Sequence, residues 1–388
     1  LTAEVNMDEF DDDPLPVMFP LIDLVFIVTI LVSLIALILS YDAVCGEKED
    51  GTLKLMLSNG LARSKVVLAK FAGGTLTIAI PFLVSLATGM LIILVHPRVS
   101  WTGADWGGLG LIVAGAVFYI SVFYLIGVLI SAVHKSSASS IMTSLFVWVL
   151  LVLVIPNLSP YVASFLAPAP SRIKVNREIS RLTDTARDDL GRKLQAQYRA
   201  EAVKQYPILA ERLSESEVKR RVAADPEYRK AYEAMRANVE RAWKDANETQ
   251  SAKADALNDD LSRREAAQTG LARSISMVSP LADFSYLATD LSSTGTRNKI
   301  HFVELRKVWD HAFGGYEIKK MAGMRAKDPT GDAWNTAIDM TDAPRFQYFE
   351  EGVGGRVKAA LPPFAVLVGY CVVLFAAAYV AFIRYDAR

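Results

Sequence analysis

The sequence predicts an all-α integral membrane protein with a large helical domain outside the bilayer, and three observations predict it. Five apolar segments, at roughly 17 to 41, 71 to 95, 109 to 133, 139 to 166 and 361 to 384, are long enough to span the membrane. About 20 helical residues cross about 30 Å of hydrocarbon, and almost no charge falls inside these segments. A polar stretch, 167 to 360, separates the last two and holds most of the Lys, Arg, Asp and Glu. That stretch contains no cysteine, since Cys45 and Cys371 lie elsewhere, so helix packing rather than a disulfide framework must hold it.

The formal net charge of zero, from 42 basic and 42 acidic residues, hides two different materials. A neutral, well-mixed charge set argues against a nucleic-acid partner and leaves membrane lipids as the surroundings of the spans. Orientation follows from the short loops, where cytoplasmic faces carry excess Lys and Arg. The loop 42 to 70 holds Lys48, Lys54, Arg63, Lys65 and Lys70, His134 and Lys135 follow the third span, and Arg384 and Arg388 end the chain. Those faces are read as cytoplasmic. The turn from Pro97 to Gly108 has only Arg98, with Trp101 and Trp106 as interfacial anchors. With five spans, the acidic opening segment 1 to 16 and the domain 167 to 360 lie outside, and the end of 361 to 388 lies inside. A chain starting outside implies a sixth span upstream of Leu1. The first span is too long and too late to be a secretory signal.

The first cytoplasmic loop carries the chemistry of interest. Gly46-Glu47-Lys48-Glu49-Asp50-Gly51-Thr52-Leu53 is an acidic, glycine-flanked turn running into a short amphipathic piece with Leu53, Leu55, Met56 and Leu57. Asn59-Gly60-Leu61-Ala62-Arg63-Ser64-Lys65 and Lys70 lead into the next span. A charged inside loop is expected of any membrane protein and accounts for the lysines and Arg63. It does not account for the order of acidic turn, apolar helix and basic tail, which suits a helix-in-groove interface whose charges set register.

This arrangement resembles the cytoplasmic coupling region of type-2 ABC transporter permeases. Met277-Val278-Ser279-Pro280, Asp290-Leu291-Ser292-Ser293-Thr294-Gly295 with His301-Phe302, and Arg384-Tyr385-Asp386 are similar to the large-extracytoplasmic-loop branch of those permeases. The resemblance implies six spans per subunit, a dimer with a second permease copy or paralogue, and a bacterial cytoplasmic (inner) membrane location. It also implies two copies of an ABC ATPase subunit that bring ATP and Mg, with Gly46 to Leu53, Arg63 and Lys70 as the ATPase-coupling residues.

Helical period organises the outer domain. Asn176 is a candidate cap for a helix with Ile179, Leu182, Ala186, Leu190 and Leu194 at three- and four-residue steps. Pro207 should kink or end it. Ser214 with Glu217 forms a capping box, and Asp225-Pro226 reads as a cap followed by proline at the first helical position. The helix starting there runs to about Arg273, giving a long antiparallel hairpin over about 176 to 273. Its apolar stripe is read first as the hairpin's own seam and second as a surface for an extracytoplasmic partner protein. From 274 to 360 the pattern becomes shorter and glycine-punctuated, predicting an irregular base with Phe302, Trp309, Phe313, Tyr316, Trp334, Phe346, Tyr348 and Phe349 in its core.

The sequence has no Gly-x-x-x-x-Gly-Lys-Ser/Thr phosphate loop, so ATP must come from a partner and no cofactor belongs to this chain. Gly73-Gly74 and Gly107-Gly108 sit at span ends, where small residues permit close helix packing. His301 and His311 lack zinc-type spacing to a third ligand, and the acidic run Asp8, Glu9, Asp11, Asp12, Asp13 reads as solvated. Asp23 is the one acid inside an apolar span, a candidate for either a helix cap or an intramembrane functional site. Pro81 and Pro156 are candidate bends.

The function so predicted is that of the membrane-spanning subunit of an ATP-driven transporter, most simply an exporter, without catalysis of its own. A mechanical or signalling relay that moves the outer domain without transport is the alternative. A scaffold lacking any ATPase would make the coupling order a coincidence. The transported substance is not encoded in the residues.

Overall fold

The computed structural model describes residues 23–58, 62–97, 101–211, 213–327 and 340–384, which are helical apart from connecting turns and the irregular segment 340–352. In chain order these are α1 (Leu24–Ile38), α2 (Cys45–Glu49), α3 (Thr52–Ser58), α4 (Arg63–Val95), α5 (Gly103–Val133) and α6 (Ser137–Leu166). There follow α7 (Arg172–Gln205), α8 (Glu215–Ala224), α9 (Pro226–Ser276), α10 (Pro280–Leu291), α11 (Thr296–Lys327) and α12 (Val353–Ile383). The chain divides into two compact units, one drawn from Leu1–Leu158 and Ser274–Arg388, the other Ser159–Arg273.

Four of these helices, α4, α5, α6 and α12, are long and apolar enough to cross a membrane, and α1 is a shorter apolar helix. The predicted residues 17 to 22 of the first span, the acidic run from Asp8 to Asp13, Asn59 to Leu61, Trp334, Tyr385, Asp386 and Arg388 lie outside the described residues. Hydropathy marks where the hydrocarbon is, not where the helix ends, and α4, α5 and α12 start before their apolar segments while α1 ends at Ile38, short of 41. α4 starts at Arg63 rather than 71, so Arg63 and Lys70 stand on a spanning helix and not in a loop. α5 starts at Gly103 rather than 109, because Thr102 and Asp105 close a capping box around its first turn. α12 starts at Val353 rather than 361.

The first unit is built around α5. In its apolar window 67% of residues are buried, against 11% in α4 and 22% in α6 and α12, which makes α5 the central helix. Tyr119, Ile120, Phe123 and Leu125 are wholly buried there. Lipid is as apolar as these side chains, so close packing and interhelical hydrogen bonds rather than removal from water hold α5 among its neighbours. The Tyr119 hydroxyl donates to the Thr29 carbonyl of α1 at 2.8 Å, and the Trp148 indole donates to Ser33 Oγ at 2.9 Å, so α1 is tied to both α5 and α6.

The segment after Pro280 departs from its sequence reading. α10 is not part of an irregular base but a buried helix packed on α5 and α12, with Phe284 wholly buried and stacked on Tyr119 at 5.4 Å. Ser279 precedes it and Pro280 occupies its first turn. Both α1 and α6 widen into π-helical turns, at Ile27–Val32 and Val149–Val154, where α10 meets them. The Ser279 hydroxyl donates to the Leu151 carbonyl inside the second such turn at 2.5 Å. An aromatic-rich sequence hid this because Leu281, Phe284, Leu287 and Leu291 repeat at three- and four-residue steps over only twelve residues. The following α11 is 32 residues long, since Gly314 and Gly315 are tolerated within it. Part of the predicted aromatic core forms a ladder: Phe302 and Trp309 of α11 meet Phe346 and Tyr348 of the segment before α12, and Phe313 stacks on Trp309. Tyr316 and Lys320 both donate to Asp342 beside it.

In the second unit α7 and α9 run antiparallel, with the Arg172–Glu265 pair near one end and Gly191 against Trp243 midway. The cap of α7 is Ser171, not Asn176: its hydroxyl accepts from Lys174 N. α7 stops at Gln205 before Pro207, and Ser214–Glu217 closes the predicted capping box on α8. Asp225 Oδ1 accepts from Glu227 N at 2.9 Å, and α9 then continues for 51 residues. Ala202, Leu209, Tyr228 and Ala231 form the small core at that end.

Of the four span-end glycines, one is required by packing. A Cβ on Gly74 of α4 would fall 1.9 Å from Tyr124 Cζ of α5, whereas Gly73 and Gly107 have nothing within 4 Å. Gly74→Ala should therefore cost about 1–3 kcal/mol by overpacking and lower the thermal midpoint in detergent by several degrees. Gly73→Ala should leave the midpoint unchanged or slightly raised. Equal midpoints for the two variants would refute the close α4–α5 approach.

Candidate coupling site

The turn that connects α1 to α4 grips the surrounding helix ends. α5 ends at Val133, and a helix end leaves carbonyls without intrahelical donors. Lys48 of α2 supplies them. Its ammonium donates to the Ser131 carbonyl at 3.4 Å, the Ala132 carbonyl at 2.5 Å and the His134 carbonyl at 3.1 Å. A cation there also faces the negative end of the helix dipole. Burial holds the Lys48 ammonium below the usual lysine range, opposed by the neighbouring Cys45 thiol.

The start of α2 is closed by the same turn of α5. The amides of Val44 and Cys45 both donate to Ser131 Oγ at 2.9 Å, and that hydroxyl donates on to Cys45 Sγ at 3.2 Å. Glu49 takes the N-terminus of α6: Ser137 N donates to it at 3.2 Å and Ser137 Oγ at 2.5 Å. An acid at a helix start is favoured by the dipole as well as the hydrogen bonds. Glu47 pairs with Lys70 of α4 at 2.5 Å, and Lys70 also donates to the Ala43 carbonyl at 2.6 Å. Ser140 Oγ donates to the Tyr41 carbonyl at 2.6 Å. Arg63 Nη1 donates to the Ile383 carbonyl at the end of α12 at 2.5 Å.

The sequence-predicted coupling residues thus separate into two sets. Glu47, Lys48 and Glu49 bind α4, α5 and α6, and Arg63 of α4 binds the end of α12. Glu47 is half-buried in its pair, while Glu49 stays exposed at the start of α6. A Cβ added at Gly46 would come only into ordinary contact with Asp42, and Leu53 is wholly buried. Gly51 has φ of +72°, a left-handed conformation that a side chain would strain, and it lets α3 turn away from α2. Asp50, Thr52, Lys54, Leu55 and Ser58 are exposed, with Leu55 66% exposed on a helix of only seven residues. Among the described residues the element therefore presents Leu55 outward among polar side chains, while Glu47, Lys48 and Glu49 bind α4, α5 and α6.

Asp23 caps α1: its Oδ1 accepts from Phe26 N at 2.6 Å. His301 and His311 each meet a backbone carbonyl, of Phe349 at 3.0 Å and of Lys307 at 2.8 Å. The acid in the middle of the helical packing is Asp283 of α10, wholly buried. It escaped the sequence reading because α10 was assigned to the polar domain. Ser131, Ser137 and Ser140 were also missed, though a run of serines where an apolar span ends was the available sign.

Comparison with known proteins adds the family. Residues 1–387 match the family described as ABC-2 family transporter protein. The chain is 33% identical over 126 residues to a probable ABC transporter permease protein NosY of Stutzerimonas stutzeri, covering 32% of this chain and 46% of that protein. It is 32% identical over 126 residues to the protein of the same description from Pseudomonas aeruginosa, with the same coverage. The chain thus spans about half the length of these relatives.

Ser131→Val should expose the strength of the clamp. Two buried amides lose their acceptor, at about 1–3 kcal/mol for each group left unsatisfied, and the detergent-solubilised protein should melt several degrees lower. Asp50→Asn, on the exposed side of the same turn, should melt with the wild type. A Ser131→Val protein as stable as wild type would show that α2 is not held by α5.

Proposed function

The chain belongs to the ABC-2 transporter family, and from that premise we propose that it is the membrane-spanning permease subunit of an ATP-driven transporter. Two copies, or one copy and a paralogue, would pair with two ATPase subunits that bind ATP and Mg. The reading is supported most by one observation: α3 carries an outward apolar residue, Leu55, on a turn whose Glu47, Lys48 and Glu49 bind α4, α5 and α6. A partner that moves α3 also moves those helices, because the interactions joining them are buried or charge-assisted and resist bending.

In this mechanism the ATPase receives Leu55 in a groove, with Lys54 and Asp50 setting register at its rim. ATP binding draws the two coupling turns together, and α5 carries the displacement through the membrane as a rigid, centrally packed rod. The exposed apolar faces of α4 and α6, with Leu76, Ile80, Val84 and Ile92 on the first and Met142 and Phe146 on the second, suit lipid and the second permease copy. Nothing in the chain requires it to hydrolyse ATP. The 51-residue α9, about 75 Å at 1.5 Å per residue, is longer than a bilayer crossing and favours a relay to an outer partner as the second reading. Substrate-stimulated hydrolysis in proteoliposomes separates the two, since only transport requires it.

Leu55→Asp combined with Lys54→Glu should lower ATPase copurification at least about tenfold, as loss of a central apolar anchor does, with membrane insertion and thermal midpoint unchanged. Undiminished copurification would remove α3 from the interface.

A further inference from the structure

A cavity of about 730 Å³ lies in the first unit at the ends of the helices opposite α2 and α3. Its apolar wall is made by Leu109 and Ile112 of α5, Leu291 of α10 and Val357 of α12. Its polar end holds Trp101 and Arg356, near the start of α5 and of α12. The volume falls in the range of small-molecule sites, and the mixture of apolar wall with a few polar groups is the usual composition of one.

Donor capacity is left over at the polar end. Asp105 is engaged by Thr102, whose amide donates to it at 2.8 Å and whose hydroxyl donates at 2.7 Å. Glu350 accepts from Arg356 Nη2 at 2.5 Å, and Arg356 Nε donates to the Glu351 carbonyl at 2.9 Å. Asp105 Oδ2 and Glu350 Oε2 are thereby engaged. One buried donor is not: the Trp101 indole N–H has no acceptor among the described residues, and the Arg356 guanidinium, bonded through Nε and Nη2, lines the cavity beside it. A buried donor without a partner costs free energy that a ligand oxygen recovers. The Arg356 side chain is only 17% exposed, so its charge is poorly screened. Trp101 and Trp106, 5.3 Å apart, are the amphipathic rings found at a membrane interface.

We propose that this cavity binds a phospholipid from the leaflet on that side, its phosphate oxygens accepting from Trp101 Nε1–H and the Arg356 guanidinium and one acyl chain lying along Leu109, Ile112, Leu291 and Val357. A free phosphate shares the head-group chemistry but leaves the apolar wall uncovered, and an uncharged alkyl chain leaves the Trp101 donor unpartnered. Both features of the site are met by one molecule only when anion and chain are joined. The assignment rests on the chain spanning a membrane and not on any ATPase partner.

The test uses the full chain, delipidated in mild detergent and titrated with short-chain phosphatidylglycerol, with inorganic phosphate, or with an alkyl glucoside of matched chain length. Native mass spectrometry and thermal midpoint are the readouts. Wild type should bind one phospholipid and melt higher. Trp101→Phe, which removes the N–H and keeps a ring, should weaken binding about fivefold or more, as should Arg356→Gln. Glu350→Gln breaks the same ion pair while sparing the guanidinium and should bind as wild type, which separates ligand contact from structural damage. Unchanged binding in Trp101→Phe and Arg356→Gln, an equal response to the alkyl glucoside, or saturation by inorganic phosphate alone would each overturn the phospholipid site. Loss of ATPase copurification elsewhere in the protein leaves this result untouched.

Discussion

A lysine ammonium closing the C-terminus of the central helix is the interaction on which the rest of the first unit depends. Val133 ends α5 where the apolar run gives out, and the last carbonyls need donors that the helix cannot supply. Lys48 provides three hydrogen bonds from one charge, and Ser131 returns the favour by accepting both amides at the start of α2. Neither helix end is satisfied without the other. The turn between α1 and α4 is therefore a part of the bundle's framework rather than a loop laid over it, and Glu49 and Arg63 extend the same framework to α6 and α12.

The opposite side of α5 is organised by α10. Its burial against α5 and α12 brings Asp283 into the packing, and the π-helical turns of α1 and α6 open where it meets them. Such turns release a carbonyl from the regular ladder, and Ser279 takes up the one at Leu151. A wedge inserted among spanning helices and a clamp at their other ends leave α5 held at two levels, which suits a helix asked to move as one piece.

Much of this was legible in the residues. Long apolar runs declare spans because hydrocarbon tolerates little else, and Ser214–Glu217 and Asp225–Pro226 declared helix starts because caps are local chemistry. The antiparallel order of α7 and α9 followed from Pro207 between two periodic stretches. What stayed hidden depended on tertiary partners. Nothing local to Glu47 or Glu49 distinguishes an acid facing solvent from one paired with Lys70 or capping α6. α10 lies beyond a long polar stretch, and its twelve residues are too few to announce that they pack among spans. The Ser171 cap lay five residues before the expected Asn176, since both residue types serve and Val175 is buried within the first turns.

The central claim is that the α2–α3 turn and α5 move as one body when the ATPase acts. Distances between spin labels on Ser58 and on Gly110 of α5, measured by pulsed electron resonance in the complete complex with and without ATP, test it most directly. The account predicts that the Ser58–Gly110 distance within one permease chain stays constant while the Ser58–Ser58 distance between the two copies shortens. A Ser58–Gly110 distance that changes on ATP binding would contradict it, because the turn would then be flexing on α5 instead of carrying it.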